Sequence, residues 1–113
     1  MNIRTERTGT VAHIELSGRV TVSDRPGLLK QAVATSVDEG ARHVLLDLSE
    51  VNYLDSTRLG ELIAAHVTVS RHGGHLKLVG TPERILELLV TAGLDQIFER
   101  YATAEDATRS LES

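Results

Sequence analysis

Apolar and polar residues alternate in two short segments at the start of the chain, Asn2–Arg7 and Val11–Leu16. The connecting Thr8-Gly9-Thr10 is typical of a turn between strands, so we expect an antiparallel pair. Ser17-Gly18 is expected to end the second strand, because serine and glycine commonly mark turns.

A helical period follows, from about Asp24 to Glu39. Ser23 or Asp24 can cap this helix, Pro26 suits its first turn, and Gly40 is expected to stop it. The residues expected to face the core recur at helical spacing: Leu28, Leu29, Ala32, Val33 and Val37.

The pattern of the segment Val44–Ile63 changes from strand to helix. Arg42–Leu48 is a nearly continuous apolar run, which indicates a strand buried on both faces. Asp55-Ser56-Thr57 then precedes a helical pattern from about Thr57 to His72. Its expected core face is Leu59, Leu62, Ile63, His66, Val67 and Ser70.

The remaining residues repeat the alternation of strand and helix. Gly73-Gly74 closes the second helix, and His75–Val79 is the next expected strand. Thr81-Pro82-Glu83 predicts a helix start, with threonine as the cap and proline in the first position. Gln96–Tyr101 is short and strand-like, and Thr103 opens a terminal helix with an acid three residues later, as in a capping box.

The predicted order of elements is β-β-α-β-α-β-α-β-α in a chain of 113 residues. Strands separated by helices pair in parallel, so the N-terminal strand should be the antiparallel one. The sequence therefore predicts an α/β fold in one domain, residues 1–113. We expect a mixed sheet of four to five strands and about four helices, packed mainly on one face.

The composition argues against several kinds of function. The net charge of −4 and the aromatic content of 3% argue against direct nucleic-acid binding, which usually needs a basic surface and stacking side chains. No apolar run approaches the ~20 residues of a membrane span, and the start of the chain lacks a signal-peptide pattern. We therefore expect a cytoplasmic protein. The absence of cysteine excludes disulfides and thiolate metal sites.

Two hydroxyls and a carboxylate, Asp55-Ser56-Thr57, lie where the buried strand leads into the next helix. All three residue types are common helix caps, and spacing alone favours that role. The alternative is that Ser56 accepts a phosphoryl group, which would add roughly −1.5 to −2 charge at the helix start. The helix N-terminus would tolerate that charge, whereas a partner pressed against Ser56 would not.

Enzymatic roles for this junction have less support. His66 lies ten helical residues, or ~15 Å, beyond Ser56, and no glycines flank Ser56 as in a nucleophile elbow. Asp55 is a poor candidate for the phosphoacceptor of a two-component receiver, because the sequence lacks the further acids that would hold the required cation. His72 and His75 have no third ligand nearby in the sequence, and there is no glycine-rich nucleotide loop. We expect no catalytic residues, metal or cofactor.

A longer pattern surrounds the junction: Asp47-Leu48-Ser49, Val51, Leu54-Asp55-Ser56-Thr57, Leu59-Gly60 and Leu62. This pattern resembles the signature of the STAS domain, in particular of the stand-alone bacterial anti-sigma-factor antagonists. Leu16-Ser17-Gly18 is similar to the family's L-[TS]-G corner, and the segment 73–78 is similar to its G-G-x-L-x-L. The resemblance covers the chain, so we expect a single STAS domain.

The resemblance implies a partner-switching protein. Such antagonists bind an anti-sigma factor that is also a serine kinase of the histidine-kinase-like ATPase fold, and so release a sigma factor. The kinase phosphorylates the serine after the motif aspartate, which maps onto Ser56 with Thr57 as the alternative, and a serine phosphatase restores binding. ATP would belong to the kinase, and the chain itself would be a monomer or weak dimer. The implied partner-binding residues are Ser17, Gly18, Arg19, Thr21, Asp24, Asp55, Ser56, Thr57, Arg58, Leu59 and Glu61.

Two arginines depart from the family pattern. Arg58 stands where the family usually has glycine, and Arg19 lies in a corner that is usually acidic. We expect both cations at the surface, although the first turn of a helix disfavours positive charge. Arg58 could pair with a phosphate on Ser56 or obstruct a close-fitting kinase, and we expect a cognate partner with a matching acidic change.

A second hypothesis belongs to the scaffold class. The chain would then be a STAS subunit that docks on a transporter ATPase or a stress-signalling complex without being phosphorylated. Phosphorylation of Ser56 by a cognate kinase distinguishes the two hypotheses.

Overall fold

A computed structural model describes residues 2–20 and 27–112 of the chain. Within these ranges the elements follow the predicted order. They are β1 (Asn2–Thr8), β2 (Val11–Val20), α1 (Leu28–Asp38), β3 (His43–Leu54), α2 (Ser56–Arg71), β4 (Leu76–Val79), α3 (Glu83–Thr91), β5 (Glu99–Tyr101) and α4 (Ala104–Ser110). None of the helices in the described ranges combines the length and apolarity needed to cross a bilayer.

The five strands form one sheet in the order β1-β2-β3-β4-β5. β1 pairs antiparallel with β2, and each later neighbour pairs in parallel. This arrangement confirms the predicted mixed sheet with an antiparallel N-terminal strand.

Two apolar layers cover the two faces of the sheet. The larger core contains Ile14 and Leu46 from the sheet and side chains from the three helices α1, α2 and α3. A smaller cluster on the other face joins Leu45 and Val79 to Ala107 of α4. The helices therefore lie mainly on one face, as predicted, and α4 is the one on the opposite face.

β2 and β3 are both longer than the sequence pattern predicts. Their parallel register runs in step to Glu15 opposite Asp47, after which two register shifts follow. Each shift places one extra residue in β3, which is the definition of a β-bulge. The prediction that Ser17-Gly18 ends β2 is wrong, because Gly18, at φ 86°, lies within the paired strand. The prediction that β3 ends at Leu48 is wrong for the same reason, since pairing continues to Leu54.

The start of α1 differs from the prediction. The helix begins at Leu28, because Gly27 adopts a left-handed conformation at its N-cap, with φ 77°. The expected caps Ser23 and Asp24 and the first-turn Pro26 lie outside the described residues. Gly40, with φ 108°, follows the last turn as expected. The expected stripe is partly right, with Leu29 and Val33 buried and Leu28, Ala32 and Val37 half-buried.

The buried face of α2 is rotated from the predicted one. Arg58, Leu59, Leu62, Ala65 and Val69 are buried, whereas the predicted core residues Val67 and Ser70 are exposed. The hydrophobic pattern does not predict this face, because alanine is only weakly apolar and arginine is charged.

The last two helices, α3 and α4, begin within a residue of their predicted starts, but only one of their two predicted caps is confirmed. Thr103 accepts a hydrogen bond from the Asp106 amide at 3.1 Å and so caps α4. Thr81 does not cap α3, whose N-cap is Pro82. The Thr81 hydroxyl oxygen is buried and has no hydrogen-bond partner among the described residues.

Candidate functional site

The end of β3 and the start of α2 form the candidate site. Asp55 is the N-cap of α2, in an extended conformation with φ −89° and ψ 173°. Its Oδ1 accepts a hydrogen bond from the Arg58 amide at 2.9 Å, so the capping role predicted for this segment belongs to Asp55. Ser56 and Thr57 occupy the first two helical positions, and both are exposed. The helix therefore presents two hydroxyls to a partner at its positive end.

Side chains stabilise both bulges in the strand that leads to this site. At the first bulge the Ser49 amide and hydroxyl donate to Asp47 Oδ1 at 2.9 and 2.6 Å. At the second, Arg84 Nη1 of α3 donates to the Asn52 carbonyl at 3.2 Å. The sequence pattern does not indicate this contact, because it joins residues 32 positions apart.

The end of β2 lies beside the candidate site. The register pairs Arg19 with Tyr53 and Val20 with Leu54, directly before Asp55. Ser17 and Gly18 are half-buried and pair with residues earlier in β3. The structure thus brings the corner and the helix start together, as the resemblance implied. Thr21 and Asp24, which were predicted on the same surface, lie outside the described residues.

Arg58 does not lie at the surface, so that prediction is wrong. Its relative exposure is 0%. The guanidinium forms an ion pair with Glu61 one turn later, and the Glu61 side chain is 13% exposed. Glu61 Oε1 also accepts from the Lys30 amide of α1 at 3.5 Å, a long contact. The pair therefore lies where the first turn of α2 meets the start of α1. Leu59 is buried too, so neither side chain can be contacted directly in this conformation.

The polar groups that the junction places at the helix start are two hydroxyls and a carboxylate. No cluster of three potential metal ligands occurs among residues 2–20 and 27–112. His66, the histidine nearest to Ser56 in sequence, packs edge-on against Phe98 at 5.4 Å between ring centroids. Ser56 is therefore an exposed hydroxyl at a helix start, directly after the Asp55 cap.

A shallow groove of about 290 Å³ lies next to the site, between the end of β3 and α3. Tyr53, which is 39% exposed, and Leu54 form one side, and Arg84 and Leu88 of α3 form the other. This groove could not be predicted from the sequence, because no residue pattern indicates how α3 packs against the bulged strand.

Known proteins share both the sequence pattern and the fold. A sequence model described as the STAS domain matches residues 2–107. The anti-sigma-B factor antagonist of Bacillus subtilis strain 168 is 28% identical over 105 residues, 93% of this chain and 94% of the relative.

Solved structures agree with the observed fold. TM1081 of Thermotoga maritima has a TM-score of 0.89 at 23% identity, over 98% of this chain and 95% of that one. The phosphorylated form of the Bacillus cell fate determinant SpoIIAA has a TM-score of 0.75 at 17% identity, over 97% and 99%. Identities this low show the fold alone. Together with the match over residues 2–107, they confirm the predicted resemblance: the chain belongs to the STAS domain family.

Proposed function

We propose that this chain is an anti-sigma-factor antagonist whose binding is switched off by phosphorylation of Ser56. In its active form it binds an anti-sigma factor that is also a serine kinase, and so releases a sigma factor. The observation that carries the proposal is the exposure of Ser56 at the first position of α2, beside the Asp55 cap. A Bacillus subtilis relative is named an anti-sigma-B factor antagonist, and SpoIIAA has been solved in a phosphorylated form.

The electrostatics of the helix start support a switch that acts on binding. A phosphoryl group on Ser56 lies at the positive end of α2, where a negative charge is tolerated. The same group would place roughly −1.5 to −2 charge in the interface with a partner, next to the Asp55 carboxylate. Burying that charge without a matching cation is costly, so the phosphorylated form should lose the partner and keep its fold.

The buried position of Arg58 changes its proposed role. Because Glu61 neutralises the guanidinium inside the protein, Arg58 does not stand in the way of a kinase at Ser56. The other difference from the family is Arg19, whose backbone pairs with Tyr53 in the strand that leads to the site. We therefore assign any preference for an acidic partner to Arg19, and a structural task to Arg58.

The proposal is tested with the anti-sigma-factor kinases of the same genome. Each is incubated with the chain and ATP, and intact mass and peptide mapping locate the phosphate. We expect one phosphate on Ser56, none in Ser56→Ala, and an unchanged product in the matched control Thr57→Ala. Phosphate on Thr57 would move the acceptor by one residue.

A binding measurement completes the test. Ser56→Asp should weaken binding to the cognate kinase at least about tenfold, whereas Ser56→Ala should bind as the wild type does. Phosphatase treatment of the phosphorylated chain should restore binding. If Ser56 takes no phosphate and Ser56→Asp binds unchanged, the switch is wrong, and the scaffold hypothesis gains support.

A further inference from the structure

β1 forms one edge of the sheet, and its outer side has no strand partner within the described residues. All seven residues pair with β2 in an uninterrupted register. The strand contains no proline or bulge, two of the features that prevent edge-to-edge pairing, and its charged residues Arg4, Glu6 and Arg7 are of both signs. Six of the seven residues are exposed. β1 is therefore a long, regular edge that a further strand can extend.

The charges of β1 suit a second copy of the same strand. Arg4 and Glu6 lie on one face and form an ion pair of 3.2 Å within the strand, with side chains 70% and 67% exposed. In a two-fold antiparallel pair the same face of both copies is continuous, so residues of equal parity lie opposite one another. A pair centred on Thr5 places Arg4 of each copy opposite Glu6 of the other.

The neighbouring registers are worse for two independent reasons. Centring the pair on Arg4 or Glu6 puts like charges directly opposite each other, which destabilises a strand pair. Those registers also use only residues 2–6 or 4–8, whereas the register centred on Thr5 pairs the whole of β1, Asn2–Thr8. Charge and strand length therefore select the same register.

We propose that β1 is a self-association surface, through which two copies pair antiparallel about Thr5 and join their sheets into one. On the second face of β1, Thr5 meets Thr5 at the symmetry axis, and threonine pairs across strands are favourable. Ile3 of each copy lies opposite Arg7, whose head group is held by the Glu39 carbonyl at the end of α1. Ser56 follows β3, which is separated from β1 by β2, so pairing at this edge is independent of the proposed switch.

Charge reversal tests the register. Sedimentation velocity is measured from about 10 μM to about 1 mM, a range that detects even a weak dimer. Arg4→Glu and Glu6→Arg each place like charges opposite each other, and each should weaken self-association about tenfold. The double variant Arg4→Glu/Glu6→Arg should restore it. An equimolar mixture of the two single variants should form a mixed dimer, which also shows that both variants remain folded.

Cysteine cross-linking gives a second readout, since the chain contains no cysteine. Thr5→Cys should form a disulfide dimer rapidly on mild oxidation, because the two Cβ atoms would lie about 5 Å apart. Thr8→Cys is the matched control, since its two copies would be about 20 Å apart. A wild-type chain that stays monomeric at about 1 mM would overturn the proposal. Equal cross-linking of the two cysteine variants, or no effect of charge reversal, would do the same.

Discussion

Replacing Arg58 by methionine removes one partner of the buried ion pair with Glu61 and keeps most of the side-chain volume. Removing one member of such a pair typically costs about 3–5 kcal/mol, because the other charge stays buried without a partner. The Glu61 side chain keeps 13% exposure and can be partly hydrated, so we expect the lower end, about 3 kcal/mol. For a domain of this size, that loss lowers the melting temperature by about 10 °C.

Urea unfolding followed by circular dichroism measures the loss, and a double-mutant cycle assigns it to the pair. Arg58→Met/Glu61→Met removes both charges and should unfold within about 1 kcal/mol of the wild type. Arg109→Met is the control, because its ion pairs in α4 are exposed, and it should cost under about 0.5 kcal/mol. A cost below about 1 kcal/mol for Arg58→Met, or a double variant as unstable as the single one, would show that the buried pair does not stabilise the fold in this way.

Three further predictions concern the remainder of the fold. Burial, and then the nearby charge of His75, lower the pKa of His43 below its ordinary 6.5. As the pH falls, His43 is therefore protonated in the unfolded chain before it is protonated in the folded one. Stability should therefore be highest above pH 6.5 and fall as the pH drops below it, and urea unfolding between about pH 5 and pH 8 should show a flatter profile for His43→Gln. Gly74→Ala would drive a Cβ into the Arg42 carbonyl oxygen and should lower the free energy of unfolding in urea by more than about 3 kcal/mol. Gly60→Ala, whose Cβ would meet open space on α2, should raise it by about 1 kcal/mol. Lys77→Ala removes a 2.8 Å hydrogen bond to the Ser110 hydroxyl, and hydrogen exchange in α4 should become about tenfold faster while exchange in β1 stays unchanged.

The order of elements could be predicted because apolar spacing, glycine stops and helix caps agreed along most of the chain. β3 is the exception, and its side chains show why. Leu48, Val51 and Leu54 are all buried at intervals of three residues, which matches neither the period of a strand nor that of a helix. The spacing arises from the two bulges, and bulges depend on pairing with β2 that a local pattern does not contain.

The candidate site was predictable in its chemistry and less so in its orientation. Asp55-Ser56-Thr57 identified a helix start, and the structure exposes Ser56 and Thr57 there. The inward direction of Arg58 could not be predicted, because an arginine three residues before a glutamate is usually an exposed pair. Here the start of α1 covers that pair, and α1 belongs to a distant part of the sequence.

The two bulges of β3 also determine how the strand tolerates changes in length. Each bulge places two residues of β3 opposite one residue of β2. The two extra residues therefore do not lengthen the strand toward α2. Deleting the extra residue of one bulge would restore the ordinary interval of two between the buried residues on either side of it, so Leu54 would keep its face and stay in the core. The same holds for the other bulge, and in both cases Ser56 keeps its place after the strand. Length variation in this strand should therefore be tolerated at the two bulges, one residue at a time.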